Sequence, residues 1–305
     1  MAPGLTVVVP AHARPERLRA LLAALAREDV DVVVAADRPT EAVRAVLAGG
    51  GARVVEPAAR GPAAARNAGW RAARSPLVAF VDDDCLPAPG WAAALLAEAR
   101  RVPGAVVQGR VEPDPRERDR IGPFARTLWV RQAGPFFQTA NILYPRALLE
   151  RLGGFDEAFA HPAGEDTDLG WRARAAGAPV TFADDALVHH AVHDMGWRAL
   201  VRDAPRWGSA VRVLARHPGL RAHFHHRVFW KPAHERLLLA AAGAALAPRS
   251  RGASLALALP YALAHRSEHP SAAGLARSLP AHLAVDAAEV AAMARGSWRA
   301  RTILI

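Results

Sequence analysis

The chain has 305 residues, of which 51% are hydrophobic and 22% charged. This excludes a disordered chain and leaves room for two units of ~150 residues, or one larger α/β domain with an extension. Its one cysteine, Cys85, excludes an intramolecular disulfide framework and a cysteine-rich zinc site, which fits a reducing compartment. The net charge of +10 is unevenly placed. Residues 1–190 carry 23 arginines and 23 acidic residues, so the whole excess falls on 191–305. A basic segment behind a neutral one suggests an anionic partner for that segment alone: phospholipid, nucleic acid or an acidic protein.

The first elements alternate. The run LTVVV at 5–9 predicts a buried strand, and 15–27 a helix with leucines at helical spacing and Pro15 in its first turn. Strand 31–35 (DVVVA), helix 40–47, strand 52–55, helix 61–73 and strand 77–81 (LVAFV) follow. This pace implies βαβ units and a mostly parallel sheet, whose ligands bind beyond the carboxyl ends of the strands. Pro10, Asp37 and Asp82 to Asp84 all fall at such ends. Further on, the pattern predicts helix 91–101, strand 105–111, a charged loop at 113–120, a strand over 136–143 and helix 145–152. Helix 166–176 and a short strand 180–182 complete this part. From about Gly196 the chain reads as helical, which divides it into a catalytic domain, 1–195, and a basic, Ala-rich helical extension, 196–305.

Four groups carry chemistry. Asp82-Asp83-Asp84 places three carboxylates at a strand end, where they repel one another unless a cation is present; hard oxygen ligands suit Mg²⁺ or Mn²⁺. Glu165-Asp166-x-Asp168 opens a helix, where carboxylates either cap the N-terminus or, in a site, act as a general base. His189-His190 offers an imidazole that can complete an octahedral site, or is filler. Arg66 and Asn67 lie in the first turns of helix 61–73, where the arginine either pairs with a diphosphate or sits on a solvated face. No Walker loop, GxGxxG or GxSxG occurs.

Together these pieces resemble the family-2 glycosyltransferases, inverting nucleotide-sugar enzymes with the GT-A fold. The likeness is carried by VVVPAHARPERL at 7–18, by GPAAARNAG at 61–69 with LVAFVDDD at 77–84, by Thr139-Ala140-Asn141 through Gly153-Gly154-Phe155-Asp156, and by GEDTDLxxR at 164–172. The resemblance implies a Rossmann-like nucleotide-sugar domain with a mostly parallel sheet and, as a cofactor, Mg²⁺ or Mn²⁺. It implies that Pro10, Ala11, Arg14, Asp37, Arg66, Asp82, Asp83 and Asn141 contact the donor. Asp82, Asp84 and His190 would hold the metal, with His189 the competing histidine. Asp166 would be the base, with Glu165 beside it. Ala13 and the single acid at Asp37 depart from the family pattern; a UDP-sugar is expected ahead of a dTDP- or GDP-sugar, and the acceptor would be a glycan or lipid-linked glycan. A nucleotidyltransferase, or a scaffold that binds nucleotide sugars without turnover, is the alternative. A nucleic-acid partner lacks any reading motif.

In the extension, 197–217 predicts a basic amphipathic helix. The apolar runs 237–246 and 253–264, each shorter than the ~18–20 residues of a spanning helix, predict a short hairpin that lies in one leaflet. No leader precedes the first strand, so a cytoplasmic place at the inner face of the membrane is expected.

Overall fold

Short β-branched runs that are apolar on both faces are stable only inside a sheet covered on both sides, and the structure, a computed structural model, puts them there. It describes residues 4–159 and 163–305. The chain divides into two units, Met1–Asp119 with Thr127–Val192, and Arg120–Arg126 with His193–Ile305. The second unit therefore takes back a short piece of chain from inside the first, which no composition shift at 195 signals.

The first unit runs β1 (Leu5–Ala11), α1 (Pro15–Leu25), β2 (Asp31–Ala36), α2 (Glu41–Ala48), β3 (Arg53–Val55), α3 (Pro62–Ala72), β4 (Leu77–Phe80), β5 (Cys85–Pro87), α4 (Trp91–Arg101) and β6 (Val106–Pro113). A 3₁₀ turn, Pro115–Arg120, leads to β7 (Ala125–Arg126) of the second unit. The first unit resumes with β8 (Ile142–Pro145), α5 (Arg146–Leu152), α6 (Glu165–Ala175) and β9 (Val180–His190). Its eight-stranded sheet has the order β3-β2-β1-β4-β8-β6-β9-β5. The β3-β2-β1-β4 pairs are parallel, as is β6 with β9, while β8 runs antiparallel to both its neighbours and β5 antiparallel to β9. Two apolar clusters cover its faces: Leu18, Leu21, Leu25, Trp91 and Leu95 on one side, and Trp70, Phe137, Leu149, Phe155 and Leu169 on the other.

Local chemistry fixes the helix ends. Thr40 caps α2 by accepting from the Val43 N–H. The Glu28 carboxylate reaches across to the Gly90 and Ala92 N–H groups and caps α4 from outside it. The Gly153-Gly154 turn ends α5 with both residues at positive φ, and a Cβ on Gly154 would stand 2.4 Å from Asn67 Oδ1 and 2.5 Å from Trp70 Nε1. Only glycine fits there.

Several expectations are corrected. The strand expected over 136–143 is confined to β8. Phe137 adopts φ 52° and packs its ring against Gly170 of α6, so the apolar residues before β8 are buried one by one rather than in a ladder. The short strand at 180–182 extends to His190, with a register shift opposite Gly109 and Arg110, and β5 was not anticipated.

The second unit pairs β7 with β10 (His193–Asp194) and adds α7 (Trp197–Asp203), α8 (Trp207–Arg216), α9 (Pro232–Leu246), α10 (Leu259–Ala264) and α11 (Ala272–Ala300). The single helix expected over 197–217 is broken into α7, a 3₁₀ turn at Ala204–Arg206 and α8, because Pro205 has no N–H to continue the ladder. The run 253–264 is a 3₁₀ segment, Ala253–Ala258, followed by α10. α8 crosses α11 where two glycines meet: a Cβ on Gly296 would stand 2.6 Å from the Gly208 carbonyl oxygen. α9 packs on the 3₁₀ segment in the same way, at Gly243 against the Ser254 carbonyl.

Gly109→Ala tests how the sheet is built around Asn141. The added Cβ would lie 2.2 Å from Asn141 Nδ2. Overpacking of this kind costs about 1–3 kcal/mol. Chemical denaturation should show a lower midpoint with an unchanged slope.

Candidate active site

The turn after β4 collects negative charge at the carboxyl edge of the sheet. Asp82 is partly exposed, whereas Asp83 and Asp84 are buried. Two arginines answer them. Arg14, on the loop after β1, donates to Asp83 Oδ1 at 2.6 Å and stands 3.4 Å from Asp84 Oδ2. Arg66, in α3, donates to Asp82 Oδ1 at 2.8 Å. Burial, and behind it the neighbouring carboxylate of Asp84, pushes the Asp83 carboxyl up to about 6 even though Arg14 pulls it down.

His190, at the end of β9, joins this turn. Its Nδ1 lies 2.7 Å from the Ala191 carbonyl, which can only accept, so Nδ1 carries the proton and Nε2 turns to Asp84 Oδ1 at 3.7 Å. The Ala191 N–H donates to the Asp84 carbonyl and ties the two segments together. His189 faces the other way, toward Asp114 and Glu112, and burial lowers its pKa. Asp84, Cys85 and His190 bring ligand atoms within 4.8 Å of one another. Burial and Asp84 push the Cys85 thiol well up, so it stays protonated. The donors that fit a divalent cation are thus carboxylate oxygens and one imidazole, a set suited to Mg²⁺ or Mn²⁺.

Arg66 is the second hinge of the site. Its side chain is buried, and its other terminal nitrogen donates to Glu165 Oε1 at 2.8 Å. Burial alone would lower its pKa; Asp82 and Glu165 outweigh that and raise it. The guanidinium expected to meet a diphosphate is therefore already held between two carboxylates. Glu165 opens α6, and its Oε2 is buried without a partner among the described residues. Asp166 follows, with Oδ1 accepting from the Thr167 N–H at 2.7 Å. Burial and then the Glu165 charge push its carboxyl well above the usual carboxylate range, against the pull of Arg66. Tyr144, on β8, has a buried hydroxyl with no partner among the described residues, and burial and Asp166 raise its pKa. Nothing in the apolar sequence of β8 marks that tyrosine as part of the site.

The rest of GEDTDLxxR is architectural. Asp168 accepts from Arg172, which donates to the Leu152 and Gly154 carbonyls and docks α6 on the turn after α5. Asn67 holds the same turn from α3, through the Phe155 backbone.

The remaining predicted donor contacts separate. Pro10 and Ala11 end β1, and the Ala11 carbonyl accepts from the Asp37 N–H. Asp37 Oδ2 accepts from the Gly61 N–H at 3.0 Å, and Oδ1 from Arg38 at 3.1 Å. These form one rim with Arg14 and the aspartates. Asn141 does not belong to it. It is fully buried, its amide donates to the Arg110 and Ala186 carbonyls, and its oxygen accepts from Trp91 Nε1. Every polar group it has for a ligand is committed to the core, so the expected donor contact is withdrawn.

A covered α/β sheet with aspartates at the ends of its parallel strands, flanked by a carboxylate-headed helix, is the arrangement expected of the GT-A type. Residues 6–153 match glycosyl transferase family 2, and the chain carries a domain of that family. Validoxylamine A glucosyltransferase of Streptomyces hygroscopicus subsp. jinggangensis is 31% identical over 263 residues, 72% of this chain and 62% of that protein. The pre-mycofactocin glycosyltransferase of Mycobacterium tuberculosis is 32% identical over 229 residues, 70% of this chain and 48% of that protein. The chain thus spans roughly half to three-fifths of the length of these curated relatives. Among solved structures, S. aureus TarS 1–349 in complex with UDP aligns with a TM-score of 0.53 at 16% identity, covering 97% of this chain and 91% of that one. At that identity the likeness is one of fold, and it places the mixed α/β sheet and the C-terminal helices among GT-A structures.

Asp166 makes a prediction about stability. A carboxyl whose pKa is higher folded than unfolded binds its proton better in the folded state, so stability falls as pH rises from about 4 through the raised folded value. Asp166→Asn removes that loss. Its melting temperature should exceed that of the wild type at pH 8, and the two should converge near pH 4 in calorimetric scans.

Proposed function

We propose that this chain is a metal-assisted, inverting glycosyltransferase that moves a sugar from a nucleoside-diphosphate sugar, of the UDP class, to an acceptor hydroxyl on a glycan or lipid-linked glycan. The observation that carries this reading is the pairing of two carboxylate groups through Arg66: Asp82 on the turn after β4, and Glu165, beside Asp166, at the head of α6. Names of the relatives support glycosyl transfer, and TarS structures in complex with UDP and with UDP-GlcNAc share the fold.

The division of labour follows from the charges. Asp82 and Asp84, with His190, would hold the cation, which would offset the charge on the departing diphosphate. Arg14 and Asp37 would line the nucleotide side. Asp166, raised in basicity by burial and by Glu165, takes the proton of the acceptor hydroxyl. The acceptor oxygen then forms a bond to the anomeric carbon as the bond from that carbon to the diphosphate oxygen breaks on the opposite face. One displacement inverts the anomeric configuration.

A thermal-shift panel of nucleoside diphosphates and nucleotide sugars, with and without Mn²⁺, tests the donor assignment. UDP compounds should raise the melting temperature only with metal, and Asp84→Ala should remove the shift. Asp166→Asn should bind donor normally while turnover falls about 10²–10⁴-fold. No shift with any nucleotide, together with full turnover in Asp166→Asn, would overturn the reading.

The second unit supports contact with a membrane surface. No described helix is long and apolar enough to cross a membrane. Between Arg236 and Arg249 the sequence holds no charge, and Leu246, Leu255, Leu257, Leu259 and Leu263 are all exposed on α9, the 3₁₀ segment and α10. Arg249 and Arg251 stand exposed at the turn between them. Leucines backed by arginines suit the boundary of an anionic leaflet. The intact chain should float with anionic vesicles, and Leu255→Ser with Leu259→Ser should stay at the bottom of the gradient without loss of donor binding.

A further inference from the structure

The second unit contains a histidine cluster that the transfer chemistry does not use. His265 and His269 lie on the segment between α10 and α11, and His282 and Asp286 lie one turn apart on α11. His265, His269, His282 and Asp286 are buried, while Glu268 is exposed. The Nε2 atoms of His269 and His282 face each other at 2.9 Å. The ring of His282 stacks on that of His265 at 4.0 Å between centroids, and Phe124 lies 4.8 Å from it on another side.

His265 is not available as a ligand. Its Nδ1 meets Glu268 Oε1 at 2.9 Å and its Nε2 meets Asp286 Oδ2 at 3.1 Å, so both nitrogens donate to carboxylates. Asp286 also accepts from Tyr261 and from Lys231, and Lys231 reaches Glu289 as well. Glu268, Asp286 and Glu289 thus meet Lys231, doubly bonded His265 and, at 3.1 Å from Glu289, His234. The His269–His282 pair sits beside this network through His265. Only one proton fits between two facing imidazole nitrogens, and a cation can take its place.

We propose that His269 and His282, through Nε2, and Glu268, through a carboxylate oxygen, bind a divalent transition metal of the zinc class, with His265 as the positioning residue that orients Glu268. Ligand atoms about 2.0–2.1 Å from a tetrahedral zinc stand about 3.3 Å apart. The two imidazole nitrogens stand 2.9 Å apart, close to that value, and Glu268 has a carboxylate oxygen within 4.8 Å of His282. Glu268 and His282 border a cavity of about 420 Å³ that also meets Arg126, Trp207 and Arg236, which gives a cation a way in. Imidazole-rich donors separate this site from the oxygen-rich one after β4 by metal preference. A hydrogen bond from His265 to the ligating carboxylate is the arrangement that holds such ligands in place. Bound metal would staple the segment before α11 to α11 itself.

The test uses the full chain, stripped of metal and titrated with Co²⁺, whose tetrahedral complexes absorb strongly in the visible, with Zn²⁺ as competitor. Wild type and Asp84→Ala should both take up one equivalent with tetrahedral intensity, displaced by Zn²⁺, and Zn²⁺ should raise the melting temperature of both. His269→Gln and His282→Gln should each weaken binding at least tenfold, and His265→Gln by about 10–100-fold. The proposal fails if wild type shows no tetrahedral band, if Asp84→Ala abolishes it, or if the His269→Gln, His282→Gln double variant retains it. The wild-type and Asp84→Ala arms decide the matter even where a histidine variant does not fold. They also keep this site separate from the transfer site, because Asp84 serves only the latter.

Discussion

A single buried guanidinium joins the two halves of the candidate active site. Arg66 donates to Asp82 on the turn after β4 and to Glu165 at the head of α6. An arginine this deep is stable only when both ends of its fork are paired, and a buried carboxylate such as Glu165 is stable only opposite a cation. Each of the three residues therefore requires the other two. Their mutual dependence sets the distance between the aspartate turn and Asp166, and keeps Asp166 close enough to one negative neighbour to remain a strong base. The glycines at Gly154 and Gly170 serve the same end, because they let α3, α6 and the loop before β8 approach without side chains between them.

How much of this the sequence discloses depends on whether local pattern or distant contact decides a residue's place. Strands β1 to β4 and their helices are legible because two-sided burial writes β-branched runs and helical leucine spacing into short windows. The aspartate turn and the head of α6 are legible for a related reason: charge at the end of an apolar run is costly without a purpose. Asn141 shows the opposite case. Its surroundings in sequence look like a loop beside an acceptor, yet its three hydrogen bonds go to Trp91, Arg110 and Ala186, all remote in sequence. Tyr144 is hidden in an ordinary apolar strand. Pairing β9 through to His190 depends on a register shift that no alternation reveals, and this shift is what aims His190, rather than His189, at Asp84.

Composition discloses the charge and the leucines of the helical unit but not its interior. His265, His269 and His282 are spread over a turn and a helix and meet only after folding. The two proposed metal sites differ in hardness of donor, and the difference follows from where each is built. The ends of parallel strands offer turns with aspartates; a helix packed on the segment before it sets His282 against His269.

Arg14 gives the aspartate turn a resident counter-ion. With its guanidinium against Asp83 and Asp84 and its side chain half exposed, it neutralises the turn without sealing it. A cation taken up at that turn would have to compete with Arg14 for Asp83 and Asp84, so uptake there would be an exchange rather than an addition.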